Sequence, residues 1–353
     1  MASYLFILFL LLLSIGLSHS LPTLLQITKD LHTHQYTTQL LIGTPPLPTK
    51  LVLHLSGQSL WLNNCPPSRT FLSHGSLQCL MAGPSPSCQV PQHNPITGDT
   101  TFGDLAQDIV SVDGMTLESF LFSCSPEYLV KGLVNSAKGV LGFGRSKVAF
   151  QSQMVNAFDF PRKFTVCLSS SDGFIISGAG ISKSLSYTPL MSVDGYYVNV
   201  NSIKINGRKL GVGQPIGGVE ISSTVPYTVM KSSLYEIFTK AFVTAMNMTV
   251  VSPVAPFGVC FPSQATVPEI QMVMQSQLVK WRIQGRNSMV EVSDSVMCLG
   301  FVDGGMGMTG SVILGGYQLE DHILEFDLGT GMMGFSSSLL NEGDSCSTLR
   351  ESL

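Results

Sequence analysis

The residues most able to do chemistry in this chain sit where apolar runs stop. Leu51-Val-Leu-His54 ends on an imidazole, then passes through Leu55-Ser-Gly-Gln-Ser59 into Leu60-Trp61-Leu62. That pattern describes a strand, a tight polar loop and a second strand. Glu220-Ile-Ser-Ser-Thr224 follows a similar plan, placing Ser222 directly after an apolar residue and shortly ahead of a helical stretch. A serine brought to a histidine could act as a nucleophile beside its base. Such a unit also needs a group to orient the imidazole and donors for an oxyanion, and neither is evident here. The remaining histidines (His32, His34, His74, His93, His322) show no ligand spacing, and there is no Cys-x-x-Cys or His-x-x-x-His. They are read as surface or hydrogen-bonding residues, with no metal or cofactor expected.

The elements that must hold these loops are β-strands. Charged residues make up 12% of the chain, about half of the usual ~25%. Together with 34 glycines and many Ser, Thr and Val residues, this fits an all-β chain with many tight turns. Strands are expected at 35–42, 50–54, 120–124, 164–168, 174–178 and 196–205, the last ending in an Asn206-Gly207 turn. A hairpin is expected over 93–112, and helices over 148–158 and 232–244, the latter with Leu234, Ile237, Phe238, Ala241 and Phe242 on one face. The stretch from Cys65 to Pro91 reads as a disulfide-pinned surface loop without periodicity. Val140-Leu-Gly-Phe-Gly144 is echoed by Val312-Ile-Leu-Gly-Gly-Tyr317, which suggests a duplicated lobe. Trp61 and Trp281 are expected to pack in the two cores.

Residues 1–20 read as a secretory signal peptide: Leu5 to Leu13 is apolar but too short to span a bilayer, and Ser18-His-Ser20 offers small residues for cleavage. The expected products are an N-terminal lobe over 21–185 and a C-terminal lobe over 186–353, outside the cell and free of the membrane after cleavage. A net charge of −4 gives no basic footprint for nucleic acid. Eight cysteines in an exported chain point to four disulfides. Cys79 and Cys88 would close a short polar loop and Cys65 would fall to Cys124 by elimination, although sequence alone does not fix the connectivity of these four. Asn247-Met-Thr249 is a glycosylation sequon.

An ordered set of motifs carries a family resemblance: Asp108-Ile-Val-Ser-Val112, Arg162-Lys-Phe-Thr-Val-Cys167, Pro226-Tyr-Thr-Val229, Asn287-Ser-Met-Val290, Cys298-Leu-Gly-Phe-Val-Asp-Gly-Gly305, Gly315-Gly-Tyr-Gln-Leu-Glu-Asp321, Phe326-Asp-Leu-Gly329 and Gly334-Phe-Ser-Ser337. The chain resembles the pepsin-like aspartic peptidases, and within them the plant branch of basic 7S globulins, extracellular dermal glycoproteins and xylanase or endoglucanase inhibitors. The resemblance implies a bilobal double β-barrel with a few short helices, and disulfides Cys167–Cys346 and Cys260–Cys298. It also implies a cleft in which two carboxylates share one proton, the arrangement that lets one activate water while the other polarises a carbonyl.

In this chain the first carboxylate position, seven residues before Trp61, is His54, with Leu55 and Ser56 in place of Thr and Gly. The second is Ser222, and the flap tyrosine position, twelve before Asp108, is Ile96. No substitute is evident: Asp99, Asp104, Asp108 and Asp303 are read as turn and strand-end residues. His54 and Ser222 would then be a polar pair filling a vacated catalytic space. The resemblance implies an extracellular (apoplast or cell-wall) binding protein whose partner is another protein, such as a microbial glycoside hydrolase. Two features depart from the inhibitors: the segment between Cys260 and Glu269 carries no arginine, and Gly343 lies between Glu342 and Asp344 where a basic residue is expected. A residual acid endopeptidase and a storage or peptide-binding cell-wall glycoprotein are the alternative readings.

Overall fold

The computed structural model describes residues 22–83, 87–191, 194–263 and 266–353; the leader expected over 1–20 lies outside them. Three sheets, of 14, 8 and 3 strands, make up most of the described chain. Alternation shapes the strands: Tyr197–Ile205 points Val198 and Val200 inward with half-exposed residues between, then shifts register so that Ile203 and Ile205 face inward. The longest helix among the described residues is Ser232–Met246, which buries Leu234, Phe238 and Phe242. Ile237, expected on that buried face, is instead 38% exposed at its margin. Phe150–Phe158 forms the other helix foreseen from periodicity.

The echo between the two halves is a repeated strand arrangement. In the first, Leu47–His54 runs parallel to Gly139–Gly142, with Val52 opposite Val140 and His54 opposite Gly142. In the second, Gly217–Ile221 runs parallel to Val312–Leu314, with Val219 opposite Val312 and Ile221 opposite Leu314. Each closing strand also pairs antiparallel with the strand after its polar loop, Trp61–Asn63 or Thr228–Met230. Glycines permit the close approach. A Cβ on Gly142 would lie 2.4 Å from the Gly57 carbonyl oxygen, and one on Gly315 would lie 2.4 Å from the Tyr227 carbonyl carbon.

The halves are joined through backbone and core alike. Ile323–Asp327 pairs antiparallel with Lys163–Cys167, setting Cys167 opposite Ile323. Met332–Phe335 continues the same sheet and pairs with Ser186–Pro189. Beneath it Phe164 stacks on Phe326, with ring centroids 5.0 Å apart. Lys29 reaches Glu320 at 2.6 Å, and the Tyr36 hydroxyl donates to the same buried carboxylate at 2.7 Å. Cys167 is bonded to Cys346, Cys260 to Cys298, Cys65 to Cys124 and Cys79 to Cys88. Trp61 and Trp281 are both buried.

Several expectations change. The 65–91 stretch contains a helix, Leu77–Ala82, started by the Ser76 hydroxyl accepting from the Cys79 N–H. Its six residues are too few for a helical period to show, and only Cys79 is buried. His322 is fully buried, with Nδ1 2.9 Å from the Glu320 carbonyl oxygen. Asp104 and Asp108 lie within the long strand Thr100–Val112 rather than at its end. Asp108 is tolerated there because a bulge follows it, Ser68 donates to its Oδ2 at 2.6 Å and the Ile109 N–H donates to Oδ1. Among the described residues, no helix is long and apolar enough to cross a membrane.

Candidate functional site

The two polar loops meet at the junction of the halves, and Ser223 joins them. Its hydroxyl donates to the Leu53 carbonyl at 2.9 Å and accepts from the Leu55 N–H at 3.1 Å, so it grips the backbone on both sides of His54. The opposite position, Leu55, has no hydroxyl to return the grip and is buried in the core. Ser222 is turned inward on its own loop: its Oγ lies 3.2 Å from the Thr224 hydroxyl and faces the N–H groups of Thr224 and Val225. Among the described hydrogen bonds, none links Ser222 to the His54 ring. The fold therefore brings the two loop junctions together through Ser223, with Ser222 bonded within its own loop.

His54 is held by its backbone carbonyl, which accepts from Gly57 and Phe143, each at 3.0 Å. Burial lowers its pKa to about 4, helped by the neighbouring His93, so the ring is neutral at neutral pH. His93 ends the strand Gln89–His93 of the hairpin above the loop, and its ring centroid is 5.9 Å from that of His54. Its carbonyl accepts from Trp61 Nε1 at 3.2 Å, tying the hairpin to the strand beyond the loop. Ile96 lies in the hairpin turn, 37% exposed and close to Gly132. His93, read from the sequence as a surface or hydrogen-bonding residue, is exposed and is also the hairpin side chain whose ring neighbours His54. Its signal was weak: it ends a short run with little alternation. The hollow between these groups has a volume of about 240 Å³ and is lined by His54, Ser56, Trp61, Pro91 and His93, among others.

The carboxylates are engaged elsewhere. Asp99 accepts from Thr97 within the hairpin turn, Asp104 from Gln89 across the strands, and Asp303 from Ser232 and Gly305. Glu220, two residues before Ser222, is the one carboxyl with a raised pKa on this strand, through burial, and it accepts from the Tyr197 hydroxyl at 3.1 Å. Among the described hydrogen bonds, none joins it to a second carboxyl. No group of three or more His, Cys, Asp or Glu that could hold a metal occurs among the described residues. Near the C-terminus, Glu342 and Asp344 both face Lys183, at 3.5 and 3.2 Å, which offsets the acidic character read there from sequence. Asn247 caps the helix Ser232–Met246 in a left-handed conformation and is exposed.

A strand–loop–strand unit built twice, once in each of the two larger sheets, with the two loops clasped through Ser223, defines a two-lobed pepsin-like protein. The family comparisons agree. Residues 36–179 match the xylanase inhibitor N-terminal family model and residues 195–337 the xylanase inhibitor C-terminal model. "Probable aspartic proteinase GIP2" of Nicotiana benthamiana is 36% identical, over 92% of this chain and 90% of its own. Basic 7S globulin of Glycine max is 32% identical, over 92% and 90%. Among solved structures, the one titled "Crystal structure of edgp" superposes with a TM-score of 0.87 at 34% identity, covering 93% of this chain and 97% of that one. An aspartic proteinase from Irpex lacteus, at 14% identity and a TM-score of 0.67 over 90% and 98% of the two chains, shows the shared fold alone. The chain belongs to the pepsin-like family of xylanase-inhibitor-type proteins, basic 7S globulins and gamma conglutins.

Proposed function

We propose that this chain is a secreted, catalytically inactive pepsin-like protein that works by binding another protein, with cell-wall glycoside hydrolases as the partner class. The carrying observation is the pair of loop junctions, where His54 and Ser222 stand in place of two acids. Water activation by a proton-sharing pair needs both carboxyls close together. A neutral imidazole and an inward-turned serine supply neither member. Four disulfides suit an oxidising compartment, in keeping with a leader over residues 1–20. The exposed Asn247 suits the glycan that its sequon invites.

Protein inhibitors of enzymes bury roughly 1,600 Å² and rest on a few anchoring residues. Because Lys183 neutralises much of the charge of Glu342 and Asp344, the C-terminal edge need not repel an acidic partner. The test uses the purified secreted protein against a panel of fungal xylanases and endoglucanases, together with cleavage of a denatured protein from pH 2 to 6. The expected result is a stable complex with inhibition of at least one hydrolase and no peptide-bond cleavage. Turnover abolished by a dyad-directed inhibitor would overturn the inactive reading. Absence of any complex across the panel would remove the hydrolase partner and favour the storage role suggested by the globulin and conglutin relatives.

A further inference from the structure

The hollow beside the helix Phe150–Phe158 is lined by a cation with two buried donors that have no hydrogen-bond partner. Arg145 follows the Gly139–Gly142 strand, and its Nε and Nη2 are buried with no hydrogen-bond partner. Its guanidinium carbon lies 5.5 Å from the ring centroid of Tyr196, whose hydroxyl is already committed to the Phe143 carbonyl at 2.7 Å. Packing on a ring face leaves the in-plane N–H groups unsatisfied, a costly state for a buried charge. The hollow measures about 370 Å³, and Lys147 and Arg162 also line it. Its lining includes no carboxylate. Among the described residues, none of the three cations takes part in an ion pair. The acids on the adjacent strand, Glu325 and Asp327, face Lys163 at 3.2 and 3.7 Å.

We infer that this hollow is a binding site for a small organic oxyanion: a carboxylate, phosphate ester or sulfate ester on a compact polar body. A guanidinium with free in-plane donors matches two oxygens of such a group, and the two exposed cations at the rim add charge without demanding geometry. Gln151 and Ser152 place the first turn of the helix along the same wall, and that turn has no side-chain cap. Its N–H groups add positive potential of the same sign. Val155 and Leu328 supply apolar surface, and the volume lies within the ~300–1,000 Å³ range of small-molecule pockets, leaving room for a ring beyond the anionic group. The site lies on the helix side of the N-terminal half and uses none of the residues around His54.

The experiment is calorimetric titration of the full secreted protein at fixed ionic strength with four probes: inorganic phosphate, glucose 6-phosphate, glucose 6-sulfate and a trigalacturonate. Saturable binding of at least one probe is expected, and the preferred probe identifies whether an ester or a sugar carboxylate is the natural group. Arg145→Met keeps the packing on Tyr196 but removes the fork, and should weaken binding at least about tenfold while leaving the unliganded thermal midpoint unchanged or higher. Arg162→Ala and Lys147→Ala, both at the exposed rim, should each weaken it a few-fold and together abolish the ligand-induced thermal shift. That rim pair decides the matter if Arg145→Met does not fold. Failure of all four probes to saturate, or equal binding by wild type and the rim double variant, overturns the assignment.

Discussion

Ser223 and His54 show how the support of a loop junction depends on single side chains. Ser223→Ala should cost about 1–3 kcal/mol, because it strands the Leu55 N–H and Leu53 carbonyl in a buried junction; Ser223→Thr should retain most of that stability in urea unfolding. His54 makes a pH prediction. Its folded pKa, about 4, lies below the unfolded value near 6.5, so protons favour the unfolded chain between those limits. The stability due to the neutral ring is present above about pH 6.5 and is lost as pH falls toward 4. His54→Gln should therefore flatten this acid loss by about 2–3 kcal/mol, measured by urea unfolding at pH 7.5, 6 and 4.5. His322, also lowered to about 4 by burial, leaves a residual slope in that variant. The sequence identified His54 and Ser222 because their position is fixed by apolar runs and by the spacing to Trp61. It did not reveal Ser223 as the bridge or His93 as the facing ring, since both depend on segments that meet only after folding.

The repeated strand–loop–strand unit was legible because each copy carries a run of β-branched or leucine residues ending at a glycine. Its register makes Gly142 and Gly315 equivalent, although their sequence surroundings differ. Either one replaced by alanine should lower stability by at least about 1–3 kcal/mol in urea unfolding, since the added carbon meets backbone rather than a movable side chain. A substitution at Gly207, in an open turn with no atom near its missing Cβ, is limited by its positive φ instead. The helix Leu77–Ala82 escaped notice for a related reason. Three of its residues, Leu77, Leu80 and Met81, are exposed, so its sequence has apolar residues without an inward period. Disulfide Cys79–Cys88 and the Ser76 cap hold what burial does not.

Across the molecule, the two halves are less separate than their duplicated sequence suggests. The strand Ile323–Asp327 completes a sheet begun by Lys163–Cys167, and Glu320 is buried against Lys29 and Tyr36 from the opposite end of the described chain. Sequence patterns report local alternation, so a pairing between strands some 160 residues apart leaves little trace in either. Replacing both Cys167 and Cys346 with serine opens a bridge spanning 179 residues, and the expected loss is about 2–5 kcal/mol in denaturant unfolding under oxidising conditions. The same bridge governs what a protease can do to the chain. A single nick at an exposed turn between Cys167 and Cys260, or between Cys298 and Cys346, leaves two polypeptides tethered by one sulfur–sulfur bond and by a common sheet. Nicked and intact forms would migrate together until a reductant is added, so gels run with and without one distinguish the two-chain form from the single chain.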